Sequence, residues 1–281
     1  MEHASPSRSA LRVAMRRAAH QIFDAPPLVL NDPLAVPILG GAYMPEVHRT
    51  ATKLRKPFSL SLRAFLVARS RYAEDNLARA VAQGVTQYIL LGAGLDTFAH
   101  RNPYPRLRVF EVDHPATQEW KRELLSTSKI PSPPSLTYTP VDFERHSLPG
   151  QLQTVGFNED IPTFFAWLGV IPYLTLPAFR STVSFIIRQP TGTGLVLDYT
   201  QPRSALPFLE QLAHDSLAAR VMLSGEPFKL FFTPTEIAAE LAAFPRIEDL
   251  GSPEINTLYF TNRTDNLKVL GTAGRILTAW R

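Results

Sequence analysis

Five short apolar runs dominate the middle of the chain: Gln87 to Leu91, Leu107 to Val112, Leu136 to Val141, Thr163 to Trp167 and Leu195 to Tyr199. Each is rich in β-branched or aromatic residues and largely lacks polar alternation, the pattern of strands buried on both faces of a parallel sheet. Helical spacing over 115–127 and 177–189 separates some of them, which reads as crossover helices between parallel strands. Ahead of the runs the chain is helix-like, with breaks at Pro26-Pro27, Asp32-Pro33 and Gly40-Gly41. Ala10 to Phe23 places Leu11, Met15, Ala18, Ala19 and Ile22 on one face, and Arg63 to Val81 carries a looser stripe of Phe65, Leu66, Ala68, Tyr72, Leu77 and Ala80. Ser126 to Ser135, with Pro131, Pro133 and Pro134, reads as a loop. Beyond residue 200, two helical patterns precede Arg246 to Leu250 and Thr257 to Thr261, which read as a closing pair of strands.

These elements predict an α/β fold: a Rossmann-like, doubly wound, mostly parallel sheet of seven strands. Residues 84–281 would build it. Residues 1–83 hold too few helices for a core of their own and would cap its carboxyl edge, within the same domain.

Composition adds limits more than content. Of 281 residues, 45% are hydrophobic and 19% charged, a globular mix. There is no cysteine, which rules out disulfides, thiolate metal sites and a cysteine nucleophile, and makes the reducing cytoplasm the expected setting. Charged or proline residues interrupt every long apolar stretch, so no membrane span is expected. Net charge is +4 and the pI near 9.4, but the basic residues are scattered among 25 acids. An anionic small molecule suits that mild excess better than nucleic acid does. The Arg-rich start superficially resembles a transit peptide, but Ala10 to Phe23 reads better as an ordinary amphipathic helix.

Candidate chemistry gathers at the ends of the predicted strands, where open α/β sheets bind ligands. Gly92-Ala93-Gly94 follows the first strand, where a backbone must approach a ligand closely. A nicotinamide fingerprint would need a third glycine where Thr97 stands, and Asp96 just before it would repel a pyrophosphate. The loop therefore suits a ligand with positive charge and no phosphate, or else Asp96 merely caps a helix. Phe110-Glu111-Val112-Asp113 ends the next strand about twenty residues on. An acid there accepts ribose hydroxyls, and alternation would let Glu111 and Asp113 share the task; alternatively Asp113 caps the helix opening at His114-Pro115. Val141-Asp142-Phe143 ends the third strand and offers an acceptor and a ring to a base. Three such strand ends in this order describe a nucleoside pocket.

Taken with Ala68-Arg69-Ser70-Arg71, Asn31-Asp32-Pro33-Leu34-Ala35 and Gly169-Val170-Ile171-Pro172-Tyr173-Leu174-Thr175, these motifs resemble the leucine carboxyl methyltransferase-like group of class I methyltransferases. The resemblance spans almost the whole chain and implies S-adenosyl-L-methionine as cofactor. It implies that Gly92 and Gly94 lie under the methionine part, that Arg69 (or Arg71) meets its carboxylate, that Asp113 holds the ribose, and that Asp142 and Phe143 hold the adenine. One position departs: Leu168 stands where many members have a glutamate facing the cofactor ammonium. Asp96 or a backbone carbonyl would then have to compensate.

No HxH or HxxxH spacing suggests a metal, and the sequence singles out no catalytic residue. A carboxylate acceptor needs no base, whereas a hydroxyl would benefit from one. His100 and His114 lie near the predicted loops, and Tyr173 and Tyr199 near the fourth and fifth strand ends. The asparagine–proline–proline–aromatic signature of base N-methylation is absent. An oxygen on a small organic acceptor is the expected target, with Phe58, Leu60 and Leu62 shaping an apolar approach.

Overall fold

The computed structural model describes residues 7–49, 51–54, 56–142, 147–222 and 227–281. Its first part is helical: α1 (Arg8–Phe23), α2 (Gly40–Arg49), α3 (Ala51–Leu54) and α4 (Pro57–Ala82). Then come β1 (Gln87–Leu91), β2 (Arg108–Asp113), α5 (Pro115–Thr127), β3 (Leu136–Pro140), α6 (Leu148–Thr154), β4 (Thr163–Trp167), α7 (Leu176–Ile187) and β5 (Gly194–Thr200). The chain closes with α8 (Phe208–Met222), α9 (Pro234–Glu240), β6 (Arg246–Leu250), α10 (Ser252–Tyr259) and β7 (Gly274–Trp280).

Helix starts carry the chemistry that explains them. Ser7, Ser147 and Thr175 each accept a backbone N–H in the first turn of α1, α6 and α7, and Thr233 with Glu236 forms a capping box on α9. Proline occupies the opening of α4, α5, α6, α7, α9 and α10, where no amide partner is lost.

The strands form one sheet in the order β3-β2-β1-β4-β5-β7-β6. All neighbours are parallel except β7, which runs antiparallel to both β5 and β6. β1 and β4 are buried throughout and lie side by side where the order reverses. Alternate residues feed two cores. Tyr88, Leu90, Phe164, Ala166 and Val196 pack under α4, while Ile89, Leu91, Phe165, Trp167, Leu195 and Leu197 pack under α6 and α7. Trp167 stacks on Phe179 with ring centres 5.4 Å apart. Burying each such large side chain stabilises the fold by about 1.5–3 kcal/mol.

The doubly wound, mostly parallel seven-stranded sheet is therefore as expected, with one correction at its far end. Thr257 to Thr261 is not a strand: Thr257 to Tyr259 ends α10, and the seventh strand is Gly274–Trp280. The β-prone composition of that stretch is overridden locally and by packing. Pro253 opens the helix, Glu254 accepts from the Gly251 N–H, and Ile255 is fully buried. The Asn256 amide then bonds both the N–H and the carbonyl of Val269. α6, between β3 and β4, carried no readable period.

α1 packs on α2 and α5 in a third apolar cluster that includes Leu95 of the loop after β1. The N-terminal helices thus bear directly on the carboxyl edge of the sheet. Among the described residues, no helix is long and apolar enough to cross a membrane.

Candidate functional site

The loop after β1 turns because two glycines accept backbone angles other residues resist: Gly92 has φ +70° and Gly94 φ +52°. The Gly92 and Ala93 amides donate to the Val112 carbonyl at 2.7 and 3.1 Å, which pins the loop to the end of β2. The next amide, Gly94, donates to Asp113 Oδ2 at 2.5 Å, and the His114 amide donates to Oδ1 at 2.7 Å. Each carboxylate oxygen therefore takes one backbone hydrogen bond and keeps further lone pairs. Burial raises the Asp113 pKa, and the two amides together with Lys121 and His114 oppose the rise. The cap of α5 is His114, whose ring nitrogen accepts from Ala116, so Asp113 is not the side chain that caps it. The Val141 amide donates to the Asp113 carbonyl at 2.8 Å. That bond sets Asp142, half-buried, beside Asp113 at adjacent strand exits. Phe143 lies outside the described residues.

Glu111 takes a different place from the one alternation suggested. It does point to the same side as Asp113, but two residues deeper, roughly 6–7 Å back from the sheet edge. There α5 covers it completely and Lys121 Nζ pairs with it at 2.6 Å. Burial raises the Glu111 pKa against the pull of Lys121. The same ammonium donates to the Asp96 carbonyl at 2.5 Å, so the pair braces the glycine loop from beneath.

Asp96 does not stand open to a ligand cation either. Arg17 of α1 donates to it at 2.6 Å and to the buried Asp32 at 2.8 Å. Thr97 donates to Asp32 at 2.7 Å, and Arg101 joins Thr97, Asp32 and Glu74. Burial would raise the Asp96 pKa; Arg17, Arg101, Lys121 and the Phe98 amide outweigh it and hold the group well below the usual range. Asp96 is therefore the anchor of a clamp that ties α1 to the loop. Ala10 completes the cover, since a Cβ on Gly94 would come within 3.1 Å of its methyl.

Arg69 and Arg71 separate cleanly. Arg71 is exposed and pairs with Asp75 on the same helix at 2.8 Å. Arg69 is buried, donates to Asp198 Oδ2 at 2.7 Å and lies over Gly169, where an added Cβ would meet its guanidinium at 2.6 Å. Gly169 has φ +73°, and its amide donates to Asp198 Oδ1 at 2.5 Å. Asp198 thus fixes both Arg69 and the turn after β4 while engaging one of the guanidinium's five donors. Sequence reading missed it, although an acid inside the apolar run of β5 was its signal. Leu168 is half-buried and packs against the apolar cluster under α4. The neighbouring Val170 lies over Gly92, whose Cβ position it would overlap at 2.2 Å.

These residues fit an adenosyl amino acid. Glycines line the turn, a half-buried carboxylate stands at the β2 exit, a second lies at the β3 exit, and at the β4 turn sits a guanidinium whose one hydrogen bond among the described residues goes to Asp198. Among the described residues no cluster suits a metal ion.

Comparison with known proteins agrees. Residues 10–187 match the family model for leucine carboxyl methyltransferase. The chain is 31% identical to the "Putative S-adenosyl-L-methionine-dependent methyltransferase YktD" of Bacillus subtilis, over 95% of each protein. A protein of the same description from Mycobacteroides abscessus is 33% identical over 59% of this chain and 55% of its own. Among solved structures, a methyltransferase-type protein of Thermobifida fusca superposes with TM-score 0.59 over 100% of this chain and 96% of that one, at 17% identity. A DUF574 family protein of Streptomyces avermitilis gives 0.56 over 87% and 94%, also at 17%. At that identity the superpositions speak for the fold alone. The family match and the full-length relative decide the assignment: the chain belongs to the leucine carboxyl methyltransferase family.

Proposed function

We propose that this S-adenosylmethionine-dependent methyltransferase transfers the methyl group to an oxygen of a small organic acceptor, in the cytoplasm. The observation that carries the donor site is the Asp113 carboxylate held by the Gly94 amide, because it locks the ribose anchor to the glycine loop. In this reading Asp113 accepts the ribose hydroxyls, Asp142 and Phe143 meet the adenine, Gly92 and Gly94 pass under the methionine chain, and Arg69 takes the carboxylate. Glu111, Asp96 and Leu168 support the site without touching the cofactor's polar groups. The cofactor supplies an activated methyl. The protein's part is alignment and exclusion of water, and positioning of this kind supplies up to ~7–11 kcal/mol in well-oriented systems.

An oxygen acceptor is favoured by the absent N-methylation signature. A nicotinamide cofactor is disfavoured by Thr97, buried and bonded to Asp32 where the third glycine would be needed. Calorimetric titration with S-adenosylhomocysteine and with NAD tests the reading. Micromolar binding of the first and none of the second supports it; the reverse sinks it.

A further inference from the structure

His214 of α8 has two buried ring nitrogens that no group among the described residues satisfies. Its side chain is 10% exposed, and both ring nitrogens are shut off from solvent with no hydrogen bond among the described residues. The nearest carboxylate, Asp215, stands 3.8 Å from Nδ1 and is itself held by Arg203 at 2.8 Å. Buried polar groups are almost always paired, so an orphaned imidazole points to a missing partner.

The surroundings indicate which partner. The His214 ring lies 5.5 Å from Phe231, which meets Phe228 at 6.2 Å, which in turn meets Tyr173 at 5.3 Å. Tyr173, Phe228 and Phe231 are all half-buried. This wall stands at the carboxyl ends of β4 and β5. The Lys229 and Leu230 amides donate to the Pro172 carbonyl, and the Phe232 amide donates to that of Thr200. It also adjoins the donor site: the Tyr173 amide closes a turn on the Val170 carbonyl, and Val170 lies over Gly92.

The geometry points to an acceptor site for an aromatic hydroxyl compound, with Tyr173, Phe228 and Phe231 against its ring and His214 Nε2 taking its hydroxyl proton. This rests on the methyltransferase reading above and names its substrate class. With Nδ1 toward Asp215, Nε2 is the nitrogen left for the acceptor. The step balances: the hydroxyl proton passes to the neutral imidazole, the methyl passes from sulfonium to oxygen, and the C–S electron pair stays on sulfur. The imidazolium then gives up a proton from Nδ1 towards Asp215, which is exposed and releases it to water. Aromatic rings pack against ring substrates by offset stacking, and a hydroxyl acceptor benefits from a base placed this way.

The probe is 4-nitrophenol, whose anion absorbs apart from the neutral form. It is titrated into the full chain at a pH below its own pKa, with and without saturating S-adenosylhomocysteine, for the parent, His214→Gln and Phe231→Ala. The parent is expected to bind and develop the phenolate band. His214→Gln should lose at least tenfold of that band, and Phe231→Ala should bind at least tenfold more weakly. Both variants should keep the parent's affinity for S-adenosylhomocysteine by calorimetry, which also reports their folding. Equal phenolate bands in parent and His214→Gln, or no probe binding by a parent that does bind S-adenosylhomocysteine, overturns the assignment. Failure of the parent to bind S-adenosylhomocysteine is a separate result, which removes the methyltransferase reading on which the assignment rests.

Discussion

Asp113 and Gly94 are joined by a 2.5 Å hydrogen bond between the strand-end carboxylate and the loop amide, so one side chain both shapes the glycine turn and presents a charge beside it. Asp113→Asn loses the charge and also one of the two backbone bonds, because the amide offers one acceptor where the Gly94 and His114 N–H groups use two. S-adenosylhomocysteine should bind it roughly 10- to 100-fold more weakly, the worth of one charged hydrogen bond of about 1.5–3 kcal/mol. Calorimetry reads the loss, and binding unchanged in the variant would remove the ribose anchor.

Glu111 should behave in the opposite way. Glu111→Gln leaves Lys121 buried without its counter-charge and should cost about 3–5 kcal/mol of stability. The affinity of the folded variant for S-adenosylhomocysteine should stay within a few-fold of the parent's. The double replacement Glu111→Leu with Lys121→Met should be less destabilising than either single one, since no charge is stranded. Urea unfolding of the four proteins tests the cycle.

The clamp between α1 and the loop predicts a pH dependence. The Asp96 pKa is lowered on folding, so its contribution is fully present above the ordinary carboxylate value and is lost as pH falls through the folded one. Asp96→Asn should destabilise the protein by about 3–5 kcal/mol at neutral pH. The gap between parent and variant should be flat down to about pH 5 and close only in stronger acid. A gap that closes between pH 7 and 5 would assign the effect to another group.

Gly169→Ala should damage the donor site from outside it. The residue's positive φ strains any side chain, and the new methyl would meet the Arg69 guanidinium at 2.6 Å. Strain of about 1–2 kcal/mol and displacement of Arg69 from Asp198 are expected. The thermal midpoint should fall by a few degrees and S-adenosylhomocysteine should bind at least tenfold more weakly. Wild-type affinity would mean that Arg69 does not hold the ligand carboxylate.

Leu168→Glu places at the β4 exit the carboxylate that the family resemblance implies there. Leu168 packs half-buried against an apolar cluster, so the exchange should lower stability by about 1–3 kcal/mol. If the ammonium of the amino acid lies there, S-adenosylhomocysteine should bind more tightly, by about tenfold. Weaker binding would place the ammonium elsewhere.

What the sequence determined by itself was periodic or local. Gln87–Leu91 and Thr163–Trp167 could be bounded to the residue because strands buried on both faces are unbroken apolar runs. Gly92, Gly94 and Asp113 were legible because a turn with positive φ and an acid at a strand end are local demands that few residues meet. The tertiary structure decided everything that depends on distant partners. It turned Thr257 to Tyr259 into helix through Val269, and it sent Glu111 to Lys121 and Asp96 to Arg17. It also joined Arg69 to Asp198, 129 positions away. A carboxylate in a sequence is only a charge. Which cation it meets, and so whether it braces the fold or faces a ligand, is set by the packing of helices onto the sheet.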